Sequence, residues 1–262
     1  MKKIIIAIIA AGILFVAVFP NAAKKCTPTF VKTYIKDLLG ISDLQEHIKV
    51  LETIVHESKE DVWSRSRQRW ENTPPNDGLT WGKHITGDAF IDKAIAYNAF
   101  GKDKTILEIG PGYGRLLLSM QKKEVAYKNY IGVDISKDVC DYLRKEFTKN
   151  NQEFINADVE KLQLNTKVDV IISSLTFKHL YPSFEKAMVN LNNYLNTGGL
   201  YIFDLLEGEG QSFENDGKTY IHKYTQKEVI EIITRCGLEL VKFDQVQHDP
   251  DHTRLLVVAK KK

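Results

Sequence analysis

The stretch that decides the fold is ILEIGPGYGRLL, residues 106–117. An apolar segment leads into three glycines at positions 110, 112 and 114, and a run of leucines follows them. This order predicts a strand, a tight turn and a helix that begins near Arg115. Glycines let the backbone approach a ligand closely, and the free N–H groups at a helix start can contact it. The stretch therefore predicts a binding turn, but it does not by itself select the ligand.

Two acidic residues after the glycine turn suit a nucleoside ligand. Asp134 ends the next predicted strand downstream of Gly110, where a carboxylate can accept hydrogen bonds from ribose hydroxyls. Asp158 follows the third predicted strand, where it could accept from an adenine amino group. The dinucleotide fingerprint Gly-x-Gly-x-x-Gly is incomplete, because its last position is Arg115. The motif therefore does not favour a dinucleotide.

Strands and helices alternate regularly from residue 88 onward, which predicts a parallel sheet covered by helices on both faces. The segment between the last two predicted strands, 247–252, is too short for a crossover, so these strands must form an antiparallel hairpin. The predicted class is α/β, a Rossmann-like, doubly wound, seven-stranded sheet with a terminal antiparallel hairpin. The predicted strands are 105–109, 129–134, 153–156, 168–173, 200–205, 238–246 and 253–259, and the predicted helices are 90–100, 115–123, 136–148, 180–195 and 225–237.

Composition and charge exclude several classes of protein. Of the 262 residues, 43% are hydrophobic and 27% charged, which is typical of a globular chain and not of a disordered or collagen-like one. The segment 1–40 holds six lysines and one aspartate, a net charge of +5, so the rest of the chain carries −3. A domain with that charge has no broad basic surface for nucleic acid. The three cysteines are too scattered for a disulfide framework or a zinc site, and Cys140 and Cys236 are expected in the core.

The N-terminal segment, 1–23, is predicted to associate with a membrane. Residues 4–19 are uncharged and nearly all apolar, and the run can extend to Ala23, long enough as a helix to cross a bilayer. A cleaved signal peptide is the alternative, but cleavage after Ala23 would put Asn21 where a small residue is preferred. We favour a transmembrane anchor through residues 4–23. Four lysines between positions 24 and 36 favour a cytoplasmic location for the domain that follows.

Between this segment and the domain, apolar residues recur at helical spacing. Ile41, Leu44, Ile48, Leu51 and Val55 form one seam, which predicts a juxtamembrane amphipathic helix within residues 24–60. The helix could pack on its own domain, or residues 41–58 could pair two copies of the chain as a homodimer. Residues 61–102 are interpreted as an N-terminal cap and residues 103–262 as the nucleoside-binding domain.

Four motifs together resemble a known family. ILEIGPGYGRLL (106–117), YIGVDIS (130–136), INADVEKL (155–162) and the segment 168–205 resemble the successive motifs of class I S-adenosylmethionine-dependent methyltransferases of the small-molecule type. The resemblance covers about residues 88–262, including the terminal hairpin. It implies the cofactor S-adenosyl-L-methionine and an enzyme that transfers its methyl group.

The resemblance also implies roles for individual residues. Gly110, Gly112 and Gly114 would hold the methionine part of the cofactor. Glu108 would anchor the turn and contact the amino group, although it could instead cap the adjacent helix.

Asp134 would bind the ribose hydroxyls, and Ile135 would pack on the adenine ring. Asp158 would accept from the adenine amine beside the Val159 backbone, or could instead cap a short helix at 159–162. Ser174 would border the methionine end.

The acceptor is predicted more coarsely. Residues 173–176 read Ser-Ser-Leu-Thr, not the acid- or Asn-Pro-Pro-aromatic tetrad of enzymes that methylate planar amines in nucleic acid or protein. We therefore expect a small-molecule or lipid-linked acceptor with an O-, N- or C-nucleophile and no nucleic acid. If that nucleophile must lose a proton, His179 is the candidate catalytic base. Trp81, His84, His222 and Tyr224 are weaker candidates near the acceptor. The alternatives are a membrane-tethered protein that binds without turnover and a nicotinamide-dependent oxidoreductase.

Overall fold

The structure is a computed structural model that describes residues 59–75, 86–214, 219–249 and 252–262. The chain divides into two compact units, 1–61 and 62–262, and nearly all the described residues belong to the second. The predicted anchor at 1–23, the apolar seam at 41–55, Cys26, Trp81 and His84 lie outside the described residues. In the part of the chain that the structure describes, no helix is both long and apolar enough to cross a membrane.

Nine strands and six α-helices make up the described residues. The strands are β1 (Gly101–Ile109), β2 (Tyr127–Asp134), β3 (Gln152–Asn156), β4 (Val168–Ser173), β5 (Leu195–Glu207), β6 (Gln211–Glu214), β7 (Thr219–Tyr224), β8 (Leu238–Asp249) and β9 (His252–Lys261). The helices are α1 (Lys59–Glu71), α2 (Asp88–Ala96), α3 (Arg115–Lys122), α4 (Lys137–Glu146), α5 (Glu185–Asn192) and α6 (Gln226–Arg235), with a 3-10 turn at Phe177–His179.

The predicted sheet is confirmed. The strands β3, β2, β1, β4 and β5 lie side by side in that order and all pair in parallel. Strand β9 then pairs antiparallel with both β5 and β8, which forms the predicted terminal hairpin. Because β1 lies between β2 and β4, the glycine turn that follows β1 opens at the centre of the sheet edge. This edge is where parallel α/β sheets bind ligands.

Residues of β1 pack into both hydrophobic cores, one on each face of the sheet. Leu107 and Ile109 join the core that helices α5 and α6 complete. Ile106 joins the other core, which packs against α2, α3 and α4. Strands buried on both faces read as continuous apolar runs, which is the pattern of residues 168–173 as well. Cys140 and Cys236 are buried free thiols, as expected.

The helix predicted at 180–195 is wrong at both ends. It begins only at Glu185. Pro182 explains the absence of helix at the predicted start, because a proline ring disfavours the helical conformation at the residue before it. It ends at Asn192, and β5 begins at Leu195 beside Val168. The pairing of β4 and β5 shifts register between Val168 and Val170, so Gly198 and Gly199 lie in an irregular part of a strand and do not terminate a helix.

Strands β6 and β7 are an addition to the seven that were predicted. They pair antiparallel, from Gln211 beside His222 to Glu214 beside Thr219. Among the described residues, the hairpin pairs with the main sheet only where Leu206 and Glu207 of β5 lie beside Lys223 and Tyr224. It therefore extends from the ligand-binding edge of the sheet, between β5 and α6.

Candidate active site

The glycine turn has a backbone that requires glycine. Gly110 and Gly112 have φ angles of +70° and +54°, in the left-handed region. A Cβ atom at Gly110 would collide with the Thr176 side chain, so β1 and the loop after β4 approach closely here. A Cβ atom at Gly112 would meet nothing within 4 Å. The first glycine thus permits packing, and the second leaves open space above the turn.

That space belongs to a cavity of about 200 Å³ at the carboxyl ends of β1, β2 and β4. The site residues predicted from the sequence meet around it, although they come from four separate segments of the chain. Those lining the cavity are Glu108, Gly110, Gly112, Asp134, Ile135, Asp158, Val159, Ser174 and His179. Gly114 does not line it. Its added Cβ would meet the Phe147 ring at 2.6 Å, so this glycine serves the packing of α3.

Asp134 is held in place by backbone groups. Its carboxylate accepts hydrogen bonds from the Gly112 N–H at 3.3 Å and from the Ser136 N–H at 3.0 Å. Burial raises the pKa of this carboxyl to about 6, and the backbone N–H donors oppose the rise. Asp134 therefore links the end of β2 to the glycine turn, and its carboxylate oxygens can still accept hydrogen bonds from a ligand in the cavity.

Glu108 lies at the floor of the cavity, 2% exposed. Its carboxylate accepts a hydrogen bond of 2.6 Å from the Tyr130 hydroxyl. Burial raises the pKa of Glu108 to about 7, which the Tyr130 bond and the charge of Arg115 only partly offset. Glu108 is therefore a buried acid that Tyr130 of β2 holds in place, and it does not cap the adjacent helix α3.

Asp158 makes contacts in two directions. Its Oδ1 accepts from the Glu160 N–H at 2.9 Å, which is the turn-capping contact considered above. Its Oδ2 pairs with the guanidinium of Arg67 on α1 at 2.8 Å. The contact with an adenine amine remains a prediction. Oδ2 is buried and accepts no hydrogen bond among the described residues, so it keeps the capacity to accept one.

The loop after β4 depends on a buried acid that the sequence analysis missed. Leu175 has a φ of +63°, an unusual conformation for a residue with a side chain, and its N–H donates to Asp204 at 2.8 Å. The Asp204 carboxylate also accepts from the Ser174 hydroxyl and from Nε2 of His248, the latter at 2.9 Å. Although burial opposes it, these contacts hold the pKa of Asp204 below its usual value. Asp204 thus fixes the shape of residues 174–176.

His179 lines the cavity as predicted, but its environment suits a neutral ring. Its Nδ1 lies 2.7 Å from the Tyr220 carbonyl oxygen and must donate to it, which leaves Nε2 as the acceptor nitrogen. Its ring lies 4.5 Å from the Trp70 ring, centroid to centroid. Burial, with the nearby charge of Lys178, lowers the pKa of His179 to about 3. A role as catalytic base remains a prediction; a group with this pKa accepts a hydrogen bond more readily than it holds a proton.

Helix α1 forms one wall of the cavity, and the sequence analysis missed it too. Ser66 and Trp70, one helical turn apart, both line the cavity. Their polar atoms, Oγ and Nε1, are buried and have no hydrogen-bond partner among the described residues. After the helix, the Thr73 carbonyl accepts from the Ser136 hydroxyl at 2.7 Å. The spacing of Ser66 and Trp70 on one helix face is the only sequence signal that could have indicated this wall.

His222 and Tyr224 do not line the cavity. Their rings stack at 3.8 Å between centroids, and Nδ1 of His222 lies 2.9 Å from the Pro182 carbonyl oxygen. Tyr224 is buried in the core beside Phe184. These two residues join the β6–β7 hairpin to the rest of the domain, so their earlier interpretation as acceptor-binding candidates has no support from their position.

Comparisons with known proteins agree with this geometry. Residues 107–203 match the family model described as "Methyltransferase domain". The chain is 34% identical over 124 residues to a probable ribosomal RNA small subunit methyltransferase A of Pyrococcus abyssi, covering 44% of each chain. It is 29% identical over 147 residues to a malonyl-[acyl-carrier protein] O-methyltransferase of Priestia megaterium, covering 52% of each. The chain therefore spans about half the length of the curated relatives it matches.

Among solved structures, the chain is similar to the 1,6-didemethyltoxoflavin-N1-methyltransferase of Burkholderia thailandensis. The TM-score is 0.56 at 17% identity, and the match covers 83% of this chain and 90% of that one. A methyltransferase of Clostridium acetobutylicum gives a TM-score of 0.53 at 18% identity, over 71% of this chain and 96% of that one. At these identities the likeness concerns the fold. With the family match, it confirms the predicted resemblance: the chain carries a methyltransferase domain built on the fold of the class I S-adenosylmethionine-dependent methyltransferases.

Proposed function

We propose that this chain transfers a methyl group from S-adenosyl-L-methionine to a small-molecule or lipid-linked acceptor. The observation that carries the proposal is the convergence of the Gly110–Gly112 turn, Glu108 and Asp134 on one cavity. The match of residues 107–203 to a methyltransferase domain supports it.

The residues around the cavity fit the cofactor by charge and shape. Glu108 and Asp134 offer carboxylate acceptors to an amino group and to ribose hydroxyls. The space above Gly112 leaves room for the ligand against the turn. When bound, the cofactor supplies a methyl carbon already activated by the sulfonium charge. The protein is then left with positioning the acceptor and excluding water.

The chain's own residues can do both. In-line placement of the nucleophile about 3 Å from the methyl carbon accounts for much of the rate in such transfers. Asp204 and the contacts of Leu175 fix the loop at 174–176, which would border the methionine end of the cofactor. The Trp70 and His179 rings close the cavity on the side of α1. A neutral His179 would accept a hydrogen bond from the acceptor and so orient it.

The acceptor class is supported by the loop after β4. Residues 173–176, at the end of β4 and in the loop after it, lack the tetrad typical of enzymes that methylate amines in nucleic acids. The Priestia megaterium relative, by its name, methylates an oxygen of a malonyl group. The Pyrococcus abyssi relative, by its name, acts on ribosomal RNA and favours the other class. We favour the small acceptor because the chain beyond the lysine-rich segment 1–40 is acidic overall.

The experiment is a labelled methyl-transfer assay with the full chain. Short and long fatty acids, malonyl thioesters, membrane lipid extract and ribosomal RNA are offered in turn with labelled S-adenosylmethionine. Label in a small or lipid acceptor, lost in Asp134→Ala, supports the proposal. Label in RNA alone would overturn the acceptor class. Cofactor binding with no transfer to any acceptor would favour a binding protein without turnover.

The proposed location is a membrane surface on the cytoplasmic side, with residues 4–23 as the anchor. Its support is the apolar run and the four lysines that follow it. Because a charged cofactor does not cross a bilayer unaided, a working domain must lie where that cofactor is made. Full-length chain is expected to sediment with membranes after alkaline carbonate treatment. Recovery in the supernatant would contradict the anchor.

A further inference from the structure

Arg115 places a positive charge in the cavity without a carboxylate partner. It is the first residue of α3 and one of the cavity-lining residues. Its Nη1 donates to the Thr86 carbonyl at 3.0 Å, and its Nη2 donates to the Ser174 hydroxyl at 2.7 Å. Both acceptors are neutral groups. Three of its five N–H groups have no acceptor among the residues that the structure describes.

Three other arginines of the described chain each pair with a carboxylate. Arg67 pairs with Glu71 and Asp158, at 2.6 and 2.8 Å. Arg144 pairs with Asp141 and Arg235 with Glu185, both at 2.7 Å. Within the described ranges, Arg115 has no carboxylate oxygen within 4.0 Å. The charges of Asp204 and Glu108 act on Arg115 only through space, and the direct partners of its guanidinium are neutral. A buried guanidinium in this position favours an anionic ligand that takes up its remaining N–H groups.

The two acids in its neighbourhood are already engaged. Asp204 accepts from Leu175, Ser174 and His248. Glu108 accepts from Tyr130, and burial keeps its carboxyl partly protonated near neutral pH, with a pKa of about 7. Burial lowers the pKa of Arg115, but an arginine in a protein stays charged at neutral pH. The guanidinium therefore retains its charge and, among the described residues, three N–H groups without an acceptor, and Arg115 lines the cavity.

We propose that Arg115 binds a carboxylate of the ligand in this cavity. The planar guanidinium matches the two oxygens of a carboxylate, and its free N–H groups supply the donors. The inference rests on the proposed function, which offers two sources of this chemistry. One is the amino-acid carboxylate of the cofactor, and the other is a carboxylate on the methyl acceptor.

The test measures binding by calorimetry, so it does not depend on turnover. Wild type, Arg115→Gln and Arg115→Lys are titrated with S-adenosylhomocysteine, with its analogue lacking the carboxylate, and with octanoate. Arg235→Gln is the control, because this exposed arginine pairs with Glu185 away from the cavity. Circular dichroism verifies that each variant is folded, and Arg115→Lys retains the charge if the glutamine variant does not fold.

If the cofactor supplies the carboxylate, Arg115→Gln weakens S-adenosylhomocysteine binding by about 10- to 100-fold, with a smaller loss in Arg115→Lys. The analogue without the carboxylate then binds wild type and variant alike. If the acceptor supplies it, octanoate binding falls at least tenfold and S-adenosylhomocysteine binding is unchanged. Equal binding of every ligand to wild type and folded Arg115→Gln would overturn the inference alone. Failure of wild type to bind S-adenosylhomocysteine would refute the proposed function, and the octanoate titration would still decide whether Arg115 binds a carboxylate.

Discussion

Replacing Gly112 with alanine should separate ligand binding from folding. The glycine has a φ of +54°, and the added methyl group would meet no protein atom within 4 Å. The left-handed conformation costs a residue with a side chain roughly 1–2 kcal/mol. The expected loss in free energy of unfolding is therefore about 1 kcal/mol, without a contribution from collision inside the protein.

The effect on binding should be larger, since the methyl group enters the space that the proposed cofactor occupies. We expect the Kd for S-adenosylhomocysteine to rise at least tenfold, which corresponds to about 1.4 kcal/mol. Gly112→Val should be worse, because its side chain is branched and longer.

Gly237 offers a matched control. It follows α6, has a φ of +74°, and an added methyl group there would also meet nothing within 4 Å. It does not line the cavity. Gly237→Ala should therefore lose about as much unfolding free energy in urea titrations as Gly112→Ala, yet bind the ligand like wild type. Equal Kd values for the two variants would refute the placement of the ligand above Gly112.

Three further outcomes are expected. Asp134→Ala should weaken binding of S-adenosylmethionine by about 1.5–3 kcal/mol in calorimetry, the scale for hydrogen bonds to a charged group, whereas exposed Asp141→Ala should not. The folded pKa of Glu108, about 7, lies above the ordinary 4.5, so ionisation of this buried acid lowers the free energy of unfolding of wild type as the pH rises between these values. Glu108→Gln removes this ionisation, and its free energy of unfolding relative to wild type should be about 2 kcal/mol higher at pH 8 than at pH 5. Equal relative values at both pH values would contradict this. Asp204→Ala should lower the free energy of unfolding, measured in urea, by about 3 kcal/mol, because His248 and the Leu175 N–H lose their acceptor. A loss below about 1 kcal/mol would contradict the role of Asp204 in holding the loop at 174–176.

The central sheet could be predicted because its strands carry local signals. Residues 168–173 are apolar almost throughout and bounded by polar residues, and the strand occupies the predicted range. The predicted helices at 136–148 and 225–237 begin at Ser136 and Thr225, and these hydroxyls accept from the Val139 and Glu228 N–H groups, both at 3.2 Å, as helix caps do. Each of these features depends on residues within one or two turns of the chain.

The β6–β7 hairpin was not predicted, and the helix at 185–192 was predicted with wrong ends. In both cases the local sequence pattern does not mark the element. The hairpin is short, and its hydrogen bonds are made mostly within itself. Its polar and aromatic residues show no clear period. For the helix, the apolar spacing from Leu180 continued into Leu195, although Leu195 belongs to β5 and pairs with Val168. Tertiary pairing decided the boundary there.

The site was predicted where a residue lies inside a motif and missed where it acts from a distance. Glu108 and Asp134 belong to the strand ends that the motifs mark. Asp204 reaches Ser174 across 30 residues of sequence, and His248 reaches Asp204 across 44. Arg115 follows the glycines directly, but its role depends on Thr86 and Ser174, which only the folded chain brings to it.

The most direct measurement is calorimetric titration of the full chain with S-adenosylmethionine, S-adenosylhomocysteine and NAD. We predict saturable binding of one S-adenosylmethionine per chain, competition by S-adenosylhomocysteine for the same site, and no heat of binding with NAD. Binding of NAD without binding of either sulfur-containing nucleoside would contradict the assignment of the Gly110–Gly112 turn and Asp134 to this cofactor, and with it the proposed methyl transfer.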